Sequence, residues 1–142
     1  MGKCLILGFG GIAKTHTKYL DRSGVDWDWY DPHIAAKNTS RILQISDNLF
    51  RDNVYDRVFI LSNESSHYKN YKQTRDAGYT GWIFVEKPAV LEREHFDIFD
   101  DERVIFGLVE RFNPAINTLR QHIDLSKVIN IDFSRCCVQT ES

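Results

Sequence analysis

The hydrophobic positions of this chain fall into short apolar runs separated by amphipathic stretches, and the alternation continues along its whole length. Lys3–Leu7 is a short apolar run bounded by glycine, the mark of a strand buried on both faces. Ile12–Arg22 carries apolar residues at Ile12, Ala13, Tyr19 and Leu20 and meets Gly24 just past its end, which predicts a helix and its stop. Val25–Tyr30 alternates Val25, Trp27 and Trp29 with Asp26 and Asp28, predicting a strand with one wet face, closed by Asp31-Pro32. The stretch from His33 to Asn53 reads as a poor helix, a short strand at Arg41–Leu43 and another short helix. Arg57–Leu61 predicts a strand, Ser66–Ala77 a helix ending at Gly78, and Trp82–Val85 a strand that runs into Glu86-Lys87-Pro88. Glu92–Phe99 predicts a helix, Val104–Leu108 a strand, and Pro114–Ile123 a helix with proline in its first turn. Strands and helices alternating at these lengths imply right-handed crossovers and a mostly parallel, twisted sheet covered on both faces, a three-layer α/β arrangement.

The last element stands apart. Val128–Ser134 places Ile129, Ile131 and Phe133 on one side and Asn130, Asp132 and Ser134 on the other. Such a strand needs a cover for its apolar face and a partner for its edge. It predicts an extra C-terminal strand on the domain's own sheet, pairing with a second copy as a homodimer, or a severed piece of a larger protein. The boundary is placed near residue 125, with 1–125 as the main domain and 126–142 as the start of a second one.

Bulk properties narrow the partners. A chain of 142 residues supports a single proper core. A net charge of −2 argues against nucleic acid, which calls for a basic face. No run is long enough to cross a bilayer. The first apolar segment enters glycines without a cleavage site for secretion, and Ile6 stands where N-myristoylation wants Ser or Thr. Cys4, Cys136 and Cys137 form neither a disulfide framework nor a metal-ligand spacing, which suits a reducing, cytoplasmic setting and no metal.

The richest chemistry follows the first strand. Gly8-Phe9-Gly10-Gly11-Ile12-Ala13 links a strand to a helix, and Asp31 ends the next strand. In such a loop Gly8 allows the tight turn, Gly10 lets backbone approach a pyrophosphate, and Ala13 lets the helix pack closely on the sheet. The helix start offers N–H donors and a positive dipole end to phosphate. Asp31 suits the ribose hydroxyls of a bound adenosine and repels a 2′-phosphate, favouring NAD over NADP, although Lys37 and Arg41 lie downstream. These features predict a Rossmann-like, nicotinamide-dinucleotide-binding domain. Glu86-Lys87-Pro88 lies at the carboxyl end of a parallel strand, where open α/β sheets place ligands. A lysine there can orient a substrate hydroxyl and relay its proton, so Lys87 is the candidate catalytic residue; the plain alternative is a surface ion pair.

Taken in order, these motifs resemble the glucose–fructose oxidoreductase, inositol dehydrogenase and rhizopine-catabolism family (Gfo/Idh/MocA). The resemblance rests on Gly8–Ala13 with His16 and Leu20, on Ile60-Leu61-Ser62-Asn63-Glu64-Ser65-Ser66-His67, on Glu86-Lys87-Pro88, and on Arg111-Phe112-Asn113-Pro114. It implies that Ser62 and Asn63 line the cofactor's ribose side. It also implies that Glu86 and Lys87 face the nicotinamide ribose and substrate with Arg111 and Asn113 nearby, and that the Lys87–Pro88 peptide is cis. The cofactor-binding set is then Gly8, Phe9, Gly10, Gly11, Ile12, Ala13, Asp31, Ser62, Asn63, His67, Glu86, Lys87 and Arg111. The family continues into an α+β substrate domain with an Asp-x-x-x-His motif, which nothing after Pro114 matches; Val128–Ser134 corresponds only to that domain's first strand. Glu64 is an added carboxylate beside the groove.

Three functions compete. The first is the cofactor-binding domain of a sugar or polyol oxidoreductase, truncated and inactive by itself. The second is a stand-alone module that senses or carries NAD(H) without turnover. The third, a methyltransferase-like domain, leaves Glu86-Lys87-Pro88 without a role. His16 and His67 read as packing residues near the groove mouth, and His33, His95 and His122 as surface residues. Ser65 and Ser66 read as caps of the following helix, and the three tryptophans as core or crevice packing.

Overall fold

The structure, a computed structural model, describes residues 2–34, 50, 55–108 and 113–127, and the statements that follow concern these. Five strands, β1 (Lys3–Leu7), β2 (Asp26–Tyr30), β3 (Tyr55–Ile60), β4 (Trp82–Val85) and β5 (Val104–Phe106), form one sheet. Their order is β2-β1-β3-β4-β5, and every neighbouring pair is parallel. Two helices, α1 (Gly11–Arg22) and α2 (His67–Asp76), follow β1 and β3.

Alternation along β1 explains the layering. Leu5 and Leu7 join Val58, Ile60, Ile83 and Val85 in a core that includes Tyr71 of α2 and Ile98. Cys4 and Ile6 point the other way, onto Ala13 and Leu20 of α1. Helical residues therefore cover both faces, and the fold is a three-layer, Rossmann-like α/β domain, as the apolar pattern predicts. Burial pushes the Cys4 thiol up to about 11. The predicted strands at Arg41–Leu43 and Val128–Ser134 lie outside the described residues.

The chain divides into two compact units, Met1–Leu108 and Val109–Ser142. Within the second lies α3 (Pro114–His122), with proline in its first turn. The Asn113 side chain caps it, accepting the Ala115 N–H at 3.0 Å.

Several local expectations are corrected. The helix expected at Glu92–Phe99 is a 3₁₀ helix over Arg93–Asp100, shifted by one residue. Its side chains superpose every third residue, so Phe96 and Phe99 share one exposed edge while Ile98 is buried. β3 starts at Tyr55, two residues before the predicted strand, where it pairs with Lys3. β5 stops at Phe106, because the Leu108 N–H turns back to the Phe106 carbonyl at 2.8 Å. Asp28, expected on a wet face, is buried; it takes Lys3 Nζ at 2.6 Å and the Tyr55 hydroxyl at 2.9 Å. Trp82, expected to be packed, is 50% exposed. Ser66 makes no side-chain cap, because a 3₁₀ turn at Glu64–Ser66 delivers the backbone to α2 already helical.

The α2 face is fastened at its far end by Arg75. Its Nε donates to Asp101 Oδ2 at 2.8 Å, and Nη1 donates to the carbonyls of Tyr79 and Gly81 at 2.8 and 2.9 Å. Nη2 is buried without a hydrogen-bond acceptor among the described residues. The guanidinium lies 6.0 and 5.8 Å from the Tyr71 and Tyr79 ring centroids, within cation–π range. Burial pushes both phenols up to about 12; for Tyr71 a hydrogen bond to Asp101 adds to it. For Asp101 burial acts upward, but the Arg75 hydrogen bond, the Arg103 amide and the Arg75 charge outweigh it and hold the carboxyl below its ordinary 3.8. That contribution to stability is present above pH 3.8 and is lost as pH falls below it. Asp101→Asn is expected to cost roughly 1–3 kcal/mol at pH 7 and to lessen the loss of stability on acidification. Urea unfolding of both proteins at pH 7 and in acid checks this.

Candidate functional site

β1 lies at the centre of a topological reversal. The chain goes from β1 through α1 to β2 on one side, and β3 lies on the other side of β1. The carboxyl ends of β1 and β3 therefore bound a crevice, the usual ligand position in open parallel sheets.

Three strand ends are fastened there. Gly8 donates its N–H to the Tyr30 carbonyl at 2.8 Å, and the Leu61 N–H reaches the Leu7 carbonyl at 2.8 Å. Gly8 has φ +91°, and a Cβ on it would lie 2.4 Å from Ser62 Cα and 2.5 Å from Ser62 N. The two turns thus meet backbone to backbone. Gly10 and Gly11 differ: nothing lies within 4 Å of where a Cβ would stand on either. They open the floor of a cleft of about 680 Å³.

Gly8, Gly10, Gly11 and Ile12 line one wall of this cleft, Ser62, Asn63 and Ser66 the facing part, and Asp31, Pro32 and His33 one end. α1 starts at the floor, with Gly10 as its N-cap, no side-chain cap and no acidic residue in its first turn. Its first N–H groups have no intrahelical acceptor, and its dipole puts positive charge there. Asp31 is latched at the end: Oδ2 accepts the Phe9 N–H at 2.8 Å and Oδ1 the His33 N–H at 2.9 Å. A carboxylate has about four acceptor positions, so each oxygen keeps capacity for a further donor.

Other residues of the predicted set stand behind the cleft and support it. The Phe9 ring turns onto Trp29, with centroids 4.5 Å apart and planes at 17°, and beyond it Trp27. Ala13 is fully buried between α1 and the sheet. His67 is 1% exposed, with Nδ1 2.8 Å from the Pro88 carbonyl and Nε2 2.9 Å from the Ser62 carbonyl. It bridges the loop after β3 and the loop after β4. Ser62 Oγ is held by Asn70 Nδ2 at 2.9 Å, and Asn63 Oδ1 accepts the Ser65 hydroxyl at 3.2 Å.

Glu86 and Lys87 sit past the end of β4, outside the lining of this cleft. The Lys87–Pro88 peptide is cis, as the resemblance implies. The Glu86 N–H donates to the Ile60 carbonyl at 3.0 Å, and its Oε2 accepts the Lys87 N–H at 3.0 Å. Lys87 is exposed. Glu64 is also exposed and does not line the cleft. His95, expected at the surface, stacks on Tyr68 at 3.8 Å. Arg111 lies outside the described residues, and Asn113 belongs to the second unit.

Sequence reasoning missed Lys69, Asn70 and Gln73, which line the cleft with Ser66. Their signal was available: positions 66, 69, 70 and 73 form one face of a helix that starts at the cleft. It also missed the pairing of His16 with Glu86, Nε2 to Oε1 at 3.1 Å, which no spacing announces. Among the described residues no group of three or more His, Cys, Asp or Glu side chains is placed to hold a metal, and no helix is long and apolar enough to cross a membrane.

No protein-family model matches the chain, and no curated protein matches it. Solved structures do. The WlbA (WbpB) dehydrogenase from Thermus thermophilus, in complex with NAD and UDP-GlcNAcA, superposes with a TM-score of 0.65 at 21% identity, over 85% of this chain and 46% of that one. The fold is shared with NAD-bound dehydrogenases. UDP-N-acetylglucosamine 3-dehydrogenase GnnA from Acidithiobacillus ferrooxidans gives 0.61 at 21% identity, over 84% of this chain and 42% of that one. Scyllo-inositol dehydrogenase from Lactobacillus casei, with bound NAD(H) and scyllo-inositol, gives 0.58 at 18% identity, over 92% and 43%. The chain spans less than half the length of each of these proteins.

The two kinds of glycine separate stability from site shape. Gly8→Ala is expected to destabilise the domain by about 1–3 kcal/mol or more, through its φ and its collision with the Ser62 backbone. Gly10→Ala is expected to cost roughly 1 kcal/mol or less. Urea unfolding of the two variants checks the contrast.

Proposed function

We propose that this chain is the nicotinamide-dinucleotide-binding domain of a sugar or polyol oxidoreductase and that it prefers NAD to NADP. The observation that carries this reading is the cleft at the strand-order reversal, open above Gly10 and Gly11 and closed at one end by the latched Asp31. The donor set fits the ligand. Backbone N–H groups and the positive end of α1 suit a pyrophosphate, and Asp31 has spare acceptor positions for the two hydroxyls of an adenosine ribose. A 2′-phosphate at that ribose would meet the Asp31 charge, although Lys69 lies in the same lining and offers it a counter-charge.

Support for the chemistry is more remote and comes from the loop after β4. When bound, the nicotinamide supplies the hydride acceptor for alcohol oxidation. In this reading Lys87 orients the substrate hydroxyl, and Glu86 faces the nicotinamide ribose. The sugar-nucleotide and inositol substrates named for the structural neighbours support a polyhydroxylated substrate class. The exposure of Lys87 also favours a second reading, a domain that binds NAD(H) without turnover, since hydride transfer needs a water-excluded substrate pocket.

Titration with NADH and NADPH, followed by energy transfer from tryptophan, tests the cofactor reading. Trp29 is suited to report it, because it stacks on Phe9 of the glycine loop. Saturable NADH binding, tighter than NADPH, is expected. Asp31→Ser is expected to weaken NADH about tenfold, the loss of roughly 1.4 kcal/mol, and to narrow or reverse the preference. Unchanged nucleotide selectivity in Asp31→Ser would remove the support for NAD specificity. No detectable oxidation of sugars or inositols by this chain is expected, and robust turnover would contradict the binding-only reading.

A further inference from the structure

The contact between His16 and Glu86 joins the helix that begins at the glycine loop to the loop that carries Lys87. His16 lies in the second turn of α1, and Glu86 is the first residue past β4. Between them the sheet presents two aromatic side chains, Phe59 and Phe84, paired in register on β3 and β4 with centroids 5.3 Å apart. The His16 ring lies against both, at 6.0 and 5.4 Å between centroids, and its Nε2 reaches Glu86 Oε1 at 3.1 Å. A carboxylate oxygen accepts, so Nε2 carries the donated proton.

Glu86 is fixed from every side the structure describes. One oxygen is held by His16 and the other by the Lys87 N–H, while its own N–H is held by the Ile60 carbonyl. The side chain is 12% exposed. Behind it stands Gly107, where a Cβ would come within 3.1 Å of Glu86 Cδ and Oε2. A glutamate at the end of a strand ordinarily samples several rotamers, which costs entropy when a ligand selects one. This one is already held, with two of its acceptor positions used and about two left.

We infer that His16 is a positioning residue: it holds Glu86 so that the remaining acceptor positions of the carboxylate receive the vicinal hydroxyls of the nicotinamide ribose. The inference rests on the dinucleotide reading above and adds a residue to its nicotinamide half. Histidine suits the task because the ring body packs on Phe59 and Phe84 while its polar tip reaches the carboxylate. The effect on binding is local to one end of the cofactor, since Asp31 and the glycine loop hold the other end without His16.

The test compares NADH with ADP, which keeps the adenosine and phosphates but lacks the nicotinamide ribose. In the full chain, His16→Phe keeps the ring packing and removes the donor; His16→Leu removes the donor with a different shape; His16→Gln returns an amide donor near the position of Nε2. Both donor-free variants are expected to weaken NADH about tenfold, as for a lost hydrogen bond to a charged group, and to leave ADP affinity within about twofold. His16→Gln is expected to recover most of the NADH affinity. Equal losses for NADH and ADP in both donor-free variants, or no loss for either, would overturn the positioning role while leaving the dinucleotide reading intact. Failure of the native chain to bind either NADH or ADP would overturn the reading on which it rests.

Discussion

The site depends on one backbone-to-backbone contact, the seating of Gly8 against Ser62. A side chain on Gly8 would occupy the space of Ser62 Cα and N, so the turns leaving β1 and β3 approach as closely as they do only because Gly8 has none. The close approach has consequences on each side. It keeps Gly8 within reach of the Tyr30 carbonyl and Leu61 within reach of Leu7, so the ends of β2, β1 and β3 are tied at one level. From that level the chain climbs through Phe9 to Gly10, and α1 begins facing open space.

The polar groups around the crevice form a series of ties between neighbouring strand ends. Asp31 takes the Phe9 amide and so links the end of β2 to the glycine loop. His67 is held between the carbonyls of Ser62 and Pro88 and so links the loop after β3 to the loop after β4. His16 links α1 to Glu86. Two of the three are histidines, read from the sequence as packing residues near the groove mouth, and each also fixes a loop through its ring nitrogens. Preorganisation of this kind lowers the entropic cost of binding an extended ligand, because the loops need not be ordered by the ligand itself.

The sequence carried the fold well where a single face decided the outcome. The apolar run Lys3–Leu7 and the run Trp82–Val85 match β1 and β4 residue for residue, since each carries fully buried apolar residues and is bounded by turn-forming residues. It failed where tertiary partners override a local pattern. The alternation of Asp26 and Asp28 gave no sign that Lys3 and Tyr55 would bury one of them, because those partners lie 25 and 27 positions away. The spacing of Phe96 and Phe99 fits a 3₁₀ helix as well as an α-helix, so the apolar pattern announces a helix there without its type. In the site, the tight turn at Gly8, the open positions at Gly10 and Gly11 and the place of Asp31 at the end of β2 were legible because a short motif specifies them. The packing of His16 and His67 was legible too, but the polar partners of their rings, and the turn of Phe9 onto Trp29, were not, because each is set by a contact between elements distant in sequence.

The central claim is that the amides at the start of α1 and the turn after β3 form a dinucleotide cleft. The most direct measurement is an amide-resolved NMR titration of the chain with NAD⁺. Saturable shifts are expected at Gly10, Gly11, Ile12, Asn63 and Asp31, with one shared dissociation constant and little change at α3. Shifts that are absent at saturating NAD⁺, or that spread over surfaces away from the glycine loop, would contradict the account.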